Sequence, residues 1–196
     1  ATYKRATLLI RDRDWLRARF EQDGLQLVFA GKAHPHDQYG QAFIEELVQT
    51  AKEDPNNLVF LPNYDMHLGA LLTRGTDVWL NNPIRPKEAS GTSGMKAAAN
   101  GVLNLSILDG WWAEGCSHGI NGWGVDAPPP GVDVDTYDRE SLQSLVVEDV
   151  LTAYGDRARW LRMMQASITS ASENFSADRC VQRYFDELYG VQQSAK

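Results

Sequence analysis

The sequence has few cysteines, a deficit of positive charge and no long apolar run. Cys116 and Cys180 are its only thiols. Nothing supports a disulfide between them, and two reduced thiols in a cytoplasmic protein are the expectation. Lys and Arg number 19 against 26 Asp and Glu, and the formal net charge of −7 argues against general nucleic-acid binding. No stretch of about 18 apolar residues predicts a membrane helix, and the first residues do not resemble a signal peptide.

The remaining composition is that of an ordinary globular domain. Hydrophobic residues make up 43% and charged residues 23% of 196 residues, which excludes a wholly disordered chain. The one candidate linker is the proline-rich run 126–131, and it is short. We therefore predict a single domain over residues 1–196, with a helical C-terminal subregion at about 136–190.

Short apolar runs alternate with helical patterns through the first half of the chain. This alternation predicts an α/β fold with a Rossmann-like parallel sheet. The predicted strands are 25–30, 58–61, 77–81 and 103–107. The predicted helices are 3–22 with a break at Arg11-Asp12, 38–53, 65–73, 94–100, 138–154, 156–172 and 177–189, the last capped by Ser176.

A loop rich in small residues follows the third predicted strand and leads into a helix start that carries a lysine. Residues 88–96 read Glu-Ala-Ser-Gly-Thr-Ser-Gly-Met-Lys. Free N–H groups at a helix start bind anions, and a nearby lysine amine can form an imine with an aldehyde cofactor. A generic exposed Gly/Ser loop is the alternative, because the segment contains no P-loop and no GxGxxG pattern.

The order of residues in 88–96 resembles the pyridoxal-phosphate attachment motif of the α-glucan phosphorylases. Further segments along nearly the whole chain resemble that family, and Ser93-Gly94 with Asn100-Gly101 and Leu108–Glu114 resembles its shorter bacterial branch. The further segments are Thr2–Ala6, Gly31–Pro35, Val59–Tyr64, Asn100-Gly101, Leu108–Glu114, Phe175–Arg179 and Tyr184.

The resemblance implies the C-terminal domain of a GT-B fold, in which two Rossmann-like domains enclose the active site. It also implies reversible phosphorolysis of terminal α-1,4-linked glucose to glucose 1-phosphate, with pyridoxal phosphate as cofactor. The expected partners are an α-1,4-glucan, inorganic phosphate and the N-terminal domain of a parent chain, which the resemblance suggests as a homodimer. Because an arginine expected just before Thr2 and half of the cleft are missing, the chain alone is expected to be inactive.

The resemblance also assigns roles to individual residues. Lys96 is expected to attach pyridoxal phosphate, and Lys4 to contact its phosphate, while Arg5 faces away or gives support. The other expected cofactor-binding residues are Thr92, Ser93, Gly94 and Tyr64. The expected sugar-binding residues are Glu88, Ala89, Ser90 and Gly91.

Several alternatives stay open on the sequence alone. Lys4 and Lys96 can be exposed helix residues, Tyr64 can be ordinary core, and Trp111 and Trp112 can be packing residues instead of sugar-stacking ones. No metal site is predicted, since His34 and His36 have no third ligand at motif spacing. A nucleotide-sugar-dependent GT-B glycosyltransferase and a non-catalytic carbohydrate- or phosphate-binding domain are the rival functions. Lys96 argues against the first, whereas the missing N-terminal half favours the second for this chain.

Overall fold

A computed structural model describes residues 1–190, and within them five short parallel strands are surrounded by helices. The four predicted strands are confirmed and a fifth is added. The strands are β1 (Leu27–Ala30), β2 (Leu58–Leu61), β3 (Val78–Asn81), β4 (Leu103–Ile107) and β5 (Gly122–Val125).

The strands form two parallel ladders within residues 1–190. β1 pairs with β2, and β4 lies between β3 and β5. Helices connect consecutive strands, as parallel pairing requires. The arrangement confirms the predicted α/β, Rossmann-like fold, although its hydrogen-bonded strands make two sheets instead of one continuous sheet.

The sequence analysis missed β5 because two of its four residues are glycines, which normally weaken a strand. Here the glycines are required by close packing. A β-carbon on Gly124 would lie 2.5 Å from Leu108 Cδ2, and one on Gly122 would collide with the Asn104 carbonyl. The strand is nevertheless fully buried.

After the first, the helices follow the predicted order with shifted ends, with two exceptions. The helices are α1 (Arg13–Asp23), α2 (Gln38–Glu53), α3 (Met66–Gly75), α4 (Thr92–Ala99), α5 (Trp111–Gly115), α6 (Val134–Leu145), α7 (Leu151–Gly155), α8 (Arg157–Phe175) and α9 (Ala177–Arg183). Helix α5 was not predicted, and the predicted helix 138–154 is divided into α6, a π-helical stretch and α7. Stretches of π-helix, Val146–Val150 and Tyr184–Leu188, join α6 to α7 and extend α9. Ser176 caps α9 as predicted, accepting a hydrogen bond from the Arg179 N–H at 3.3 Å.

The first predicted helix is wrong over residues 3–10. Two short 3₁₀ turns, Thr2–Lys4 and Leu9–Arg11, replace it, and α1 begins only after Asp12. Arg5 ends the first turn in the left-handed conformation, with φ 47°, because its buried guanidinium is drawn into interactions far along the chain. The predicted break at Arg11-Asp12 is confirmed, since the Asp12 side chain caps α1 at the Trp15 N–H.

The core consists of buried clusters on either side of the N-terminal segment. Leu8 and Leu9 pack with β4, β5 and the C-terminal helices. Ile10 packs instead with α1, α2 and β2, and Trp15 contacts both clusters. The segment that follows Lys4 is therefore anchored on two sides. Among residues 1–190, no helix combines the length and apolarity needed to cross a membrane.

Candidate active site

Polar side chains converge where β3 and β4 end. Asn81 is the last residue of β3, and Asp109 lies two residues beyond β4. The Lys4 ammonium donates to Asn81 Oδ1 at 3.3 Å and forms an ion pair with the Glu88 carboxylate. The carboxyl edge of parallel strands is where open α/β folds bind ligands. The structure thus brings together Lys4 and Glu88, which lie 84 residues apart in the chain.

Glu88 is 7% exposed and is held from the next strand-end loop. Its backbone N–H donates to Asp109 Oδ2 at 2.9 Å, and the second Asp109 oxygen accepts from the Gly110 N–H at 3.0 Å. The Trp111 N–H donates to the Ser90 carbonyl at 2.8 Å. Glu88 and Ser90 are therefore fixed by a neighbouring loop before any ligand arrives.

Helix α4 starts directly behind this loop. Its N-cap is Gly91, which has a φ of 90° and provides no side-chain cap. Gly94 packs closely, since a β-carbon there would lie 2.8 Å from both Trp111 Nε1 and Asn104 Oδ1. The first turn thus offers uncapped backbone N–H groups beside residues of minimal bulk, which suits a phosphate.

Lys96 and Thr92 line one cavity of about 1000 Å³, whose lining includes none of Lys4, Asn81, Glu88 and Asp109. The opposite wall comes from the end of α8 and from α9, including Phe175 and Tyr184. Arg179 and Arg183 also line it. Both Lys96 and Thr92 are exposed, so the Lys96 amine is accessible for covalent chemistry.

The remaining predicted site residues are Ala89, Ser93 and Tyr64. Ala89 is exposed and Ser93 half-buried. Tyr64 is half-buried and packs on α3, where a β-carbon on Gly69 would lie 2.6 Å from its hydroxyl. Its role beside a cofactor ring stays a prediction. Lys32 is exposed in the loop after β1.

The adjacent tryptophans are packing residues. Trp111 and Trp112 are 5% and 1% exposed, and the Trp112 Nε1–H donates to the Trp123 carbonyl at 2.9 Å. Asn81 and Asp109 are the site residues that the sequence analysis did not select. Their position at the carboxyl ends of predicted strands is a signal that could have found them.

The partly buried thiol of Cys116 is a poor nucleophile. Burial, reinforced by the negative charge of Asp126, raises the pKa of Cys116 to about 12. A thiol with this pKa is almost wholly protonated near neutral pH and is a poor nucleophile. Across residues 1–190, no three or more His, Cys, Asp or Glu side chains cluster in a way that could hold a metal ion.

The fold of this chain is similar to that of a known glycosyltransferase structure. A crystal structure of a glycosyltransferase from Rickettsia africae superposes with a TM-score of 0.70 at 14% identity, covering 95% of this chain and 44% of that one. At this identity the likeness establishes the fold alone. The fold and its strand-end site define a Rossmann-like α/β unit of the GT-B type.

The sequence comparisons narrow this class to one family. A sequence profile of the carbohydrate phosphorylase family matches residues 14–115, more than half of the chain, and the chain belongs to that family. A maltodextrin phosphorylase from Thermococcus litoralis is 45% identical over 96% of this chain, and a glycogen phosphorylase from Mycobacterium tuberculosis is 41% identical over 96%. The chain spans about a quarter of the length of these relatives, 24% and 23%.

Proposed function

We propose that this chain is the C-terminal catalytic-domain portion of an α-glucan phosphorylase, in which it forms a single partial domain over residues 1–196. The reaction is reversible phosphorolysis of terminal α-1,4-linked glucose to glucose 1-phosphate, with pyridoxal phosphate as cofactor. The observation that carries the proposal is the Lys4–Glu88 pair at the end of β3. It joins a cation suited to phosphate and a carboxylate suited to sugar hydroxyls beside the helix that carries Lys96.

The residues present fit pyridoxal phosphate. Lys96 supplies an accessible amine for covalent attachment, and its cavity of about 1000 Å³ is large enough for the cofactor. The uncapped start of α4 would supply the N–H groups of Thr92 and Ser93 to a phosphate, whereas the Gly94 N–H already donates to the Gly91 carbonyl at 3.0 Å. When bound, the cofactor would supply a phosphate group for proton transfer to inorganic phosphate.

The sugar would be held by the loop that precedes α4. The Glu88 carboxylate can accept hydrogen bonds from two sugar hydroxyls, and the loop backbone at Ala89, Ser90 and Gly91 offers N–H donors to others. The Glu88 carboxyl carbon lies 3.6 Å from where a β-carbon on Gly91 would be. The proposed sugar-binding carboxylate is therefore directly adjacent to the first turn of α4.

Lys4 would stabilise phosphate charge. Its ammonium is half-buried, with its side chain 35% exposed, and lies between Asn81 and Glu88. A partly desolvated ammonium interacts with an anion more strongly than a fully solvated one. We therefore assign Lys4 to the phosphate side of the site and Glu88 to the sugar side.

The remaining parts of the proposal concern the parent protein. The chain is about a quarter as long as its relatives, and we propose that an N-terminal domain completes the cleft, in a cytoplasmic enzyme that forms a homodimer. The isolated chain should release no glucose 1-phosphate from maltodextrin, because catalysis needs groups fixed on both sides of the cleft. Release by the pure chain would contradict the divided cleft.

Peptide mapping tests the cofactor assignment. The parent protein is incubated with pyridoxal phosphate, reduced with borohydride and digested, and the modified lysine is identified by mass spectrometry. The adduct is expected on Lys96, and an adduct on Lys32 or Lys87 instead would refute the assignment. Lys4→Ala serves as the matched variant: it should retain the Lys96 adduct but bind inorganic phosphate more weakly, because one charge-assisted contact is lost.

The same measurement separates the rival functions. A nucleotide-sugar-dependent glycosyltransferase and a non-catalytic binding domain have no chemical need for a lysine behind Ser-Gly-Met. Neither should therefore yield a cofactor adduct on Lys96 or a shift of the pyridoxal absorbance on binding.

A further inference from the structure

A fully buried carboxylate, Asp138, lies on α6 outside the proposed binding groups. It is 0% exposed, and each of its oxygens accepts a hydrogen bond from a different arginine. Oδ2 accepts from Arg5 at 2.7 Å and Oδ1 from Arg85 at 3.2 Å. Arg5 is itself 3% exposed. A buried charge of this kind is costly unless it is fully paired, so its partners and geometry are tightly constrained.

The first arginine joins the segment around Lys4 to the loop after β3. Arg5 Nε donates to the Asn82 carbonyl at 2.9 Å and Nη2 to the Pro83 carbonyl at 2.8 Å. In return, the Asn82 side-chain amide donates to the Arg5 carbonyl at 2.8 Å.

The residue on the other side of Lys4 is tied to the same loop. The Ile84 N–H donates to the Tyr3 carbonyl at 2.8 Å. Both chain neighbours of Lys4 are thus hydrogen-bonded to residues 82–84, and that loop leads directly to Glu88. The left-handed backbone of Arg5, φ 47°, turns its side chain into this contact.

The second arginine fixes the far end of the loop. Arg85 Nη2 donates to the Val125 carbonyl at 2.7 Å and to the Asp126 carbonyl at 2.6 Å. Arg85 therefore ties the loop, three residues before Glu88, to the end of β5. Asp138 is the one carboxylate that both arginines contact in the described residues.

We propose that Asp138 is a positioning residue, which sets the spacing of Lys4 and Glu88 by holding Arg5 and Arg85 together. This inference rests on the proposed function for its kinetic consequence, whereas its structural consequence, the placement of Lys4, is independent of it. Asp138 contacts neither of the two groups that it positions. Its effect passes through the backbone of residues 3–5 and 82–88.

The matched control is Asp135, one helical turn away on α6. It also accepts a hydrogen bond from Arg5, at 2.9 Å, but it is 40% exposed and its other oxygen pairs with the exposed Arg11 at 3.0 Å. An exposed ion pair is weak and solvent can replace it. If Asp138 positions Lys4 and Glu88, Asp138→Asn should disturb the placement of Lys4 more than Asp135→Asn does, although both substitutions remove a negative charge next to Arg5.

The first readout is the reactivity of Lys4, which does not depend on catalysis. The full-length parent protein is treated with a limiting amount of an acylating reagent, and labelling of Lys4 is compared with that of the exposed Lys52 by peptide mass spectrometry. Asp138→Asn should raise the relative labelling of Lys4 several-fold, because the ion pair between Lys4 and Glu88 is weakened. Asp135→Asn should leave it within about twofold of wild type.

The second readout is the division of the kinetic effect between KM and kcat. Asp138→Asn should raise the KM for inorganic phosphate roughly tenfold or more, since small misplacements of a binding group are costly. Cofactor content should stay unchanged, because Lys96 lies outside the network. If wild type shows neither phosphorolysis nor a Lys96 adduct, the proposed function fails while the labelling result still decides the role of Asp138.

Two results would overturn the inference. One is a folded Asp138→Asn protein whose Lys4 labelling matches wild type, and the other is an equal effect of Asp135→Asn. If Asp138→Asn does not fold, Arg85→Gln takes its place. This substitution keeps the buried Arg5–Asp138 ion pair and removes only the ion pair between Arg85 and Asp138. Increased Lys4 labelling in Arg85→Gln supports the inference, and unchanged labelling rejects it.

Discussion

The two ends of segment 88–96, the loop at Glu88 and the helical turn at Lys96, differ in how firmly they are held. On the strand side, Glu88 is 7% exposed and its loop is bonded to Asp109 and Trp111. On the cavity side, Lys96 is exposed, and the facing helix α9 and its extension carry half-exposed apolar side chains such as Tyr184, 51%, and Leu188, 69%. The difference indicates that the loop around Glu88 is preorganised by this chain, whereas the Lys96 side chain is accessible to solvent.

Loss of the amine should give the largest effect on the cavity side. Lys96→Ala in the parent protein should abolish the cofactor adduct and nearly all phosphorolysis, yet change the free energy of unfolding by less than about 0.5 kcal/mol, since the side chain is exposed and alanine favours helix. Borohydride mapping and urea denaturation measure the two quantities. A large loss of stability would contradict the interpretation that the Lys96 side chain is exposed and makes few contacts.

The reactivities of the two cysteines test the same difference between a buried and an exposed region. Cys180 is exposed and lines the cavity, whereas Cys116 is partly buried, and burial raises the pKa of Cys116 to about 12. At pH 8, iodoacetamide should alkylate Cys116 roughly a thousandfold more slowly than an ordinary thiol, because the thiolate fraction falls tenfold per unit of pKa. In guanidinium chloride both cysteines should react alike. Comparable rates in the native protein would show that the region around β5 is open.

Adding a single methyl group at Gly110 should disrupt the firmly held loop around Glu88 and Ser90. A β-carbon on Gly110 would lie 2.5 Å from the Ser90 carbonyl and 2.9 Å from the Glu88 carbonyl, at a φ of 53°. Gly110→Ala should therefore destabilise the protein by about 3 kcal/mol, measured by urea denaturation. Gly131→Ala is the control: its φ is 84° but nothing lies within 4 Å, so it should cost only about 1 kcal/mol. Equal losses would mean that the contact with the loop is unimportant.

The smallest effect is expected at Asp135. Partial burial raises the pKa of its carboxyl, but hydrogen bonds from Arg5 and Arg11 outweigh burial and lower the pKa below its usual value. The ionised form therefore stabilises the fold above the unfolded-state pKa of about 3.9, and this contribution disappears as pH falls through the lower folded-state value. Asp135→Asn should cost about 0.5 kcal/mol at pH 7, because the carboxylate is 40% exposed and screened by solvent.

Urea denaturation at pH 7 and near pH 2 checks this last expectation. The difference between Asp135→Asn and wild type should shrink in acid, where both carry an uncharged side chain at this position. A difference that stays constant with pH would assign the effect to packing and not to charge.

Local chemistry accounts for the parts of this protein that the sequence determined by itself. The apolar runs predicted β1 to β4, because a parallel strand covered on both faces needs a nearly continuous apolar segment. Of these four strands, β4 is buried at every position, whereas Val28 in β1 and Val59 in β2 are exposed. Asp12 marked the start of α1 and Ser176 that of α9, because a capping side chain acts on an N–H only three residues away. The nonapeptide 88–96 was sufficient to indicate the family, which the comparisons confirmed.

Tertiary structure decided what depends on residues far apart in the chain. The glycines of β5 are compatible with a strand only because Leu108 and Asn104 pack against them. Arg5 leaves the helical conformation because its partner Asp138 lies 133 residues away. Periodicity and capping report on contacts within one or two turns, whereas the pairing of Lys4 with Glu88 arises only when the folded sheet brings the ends of its strands together.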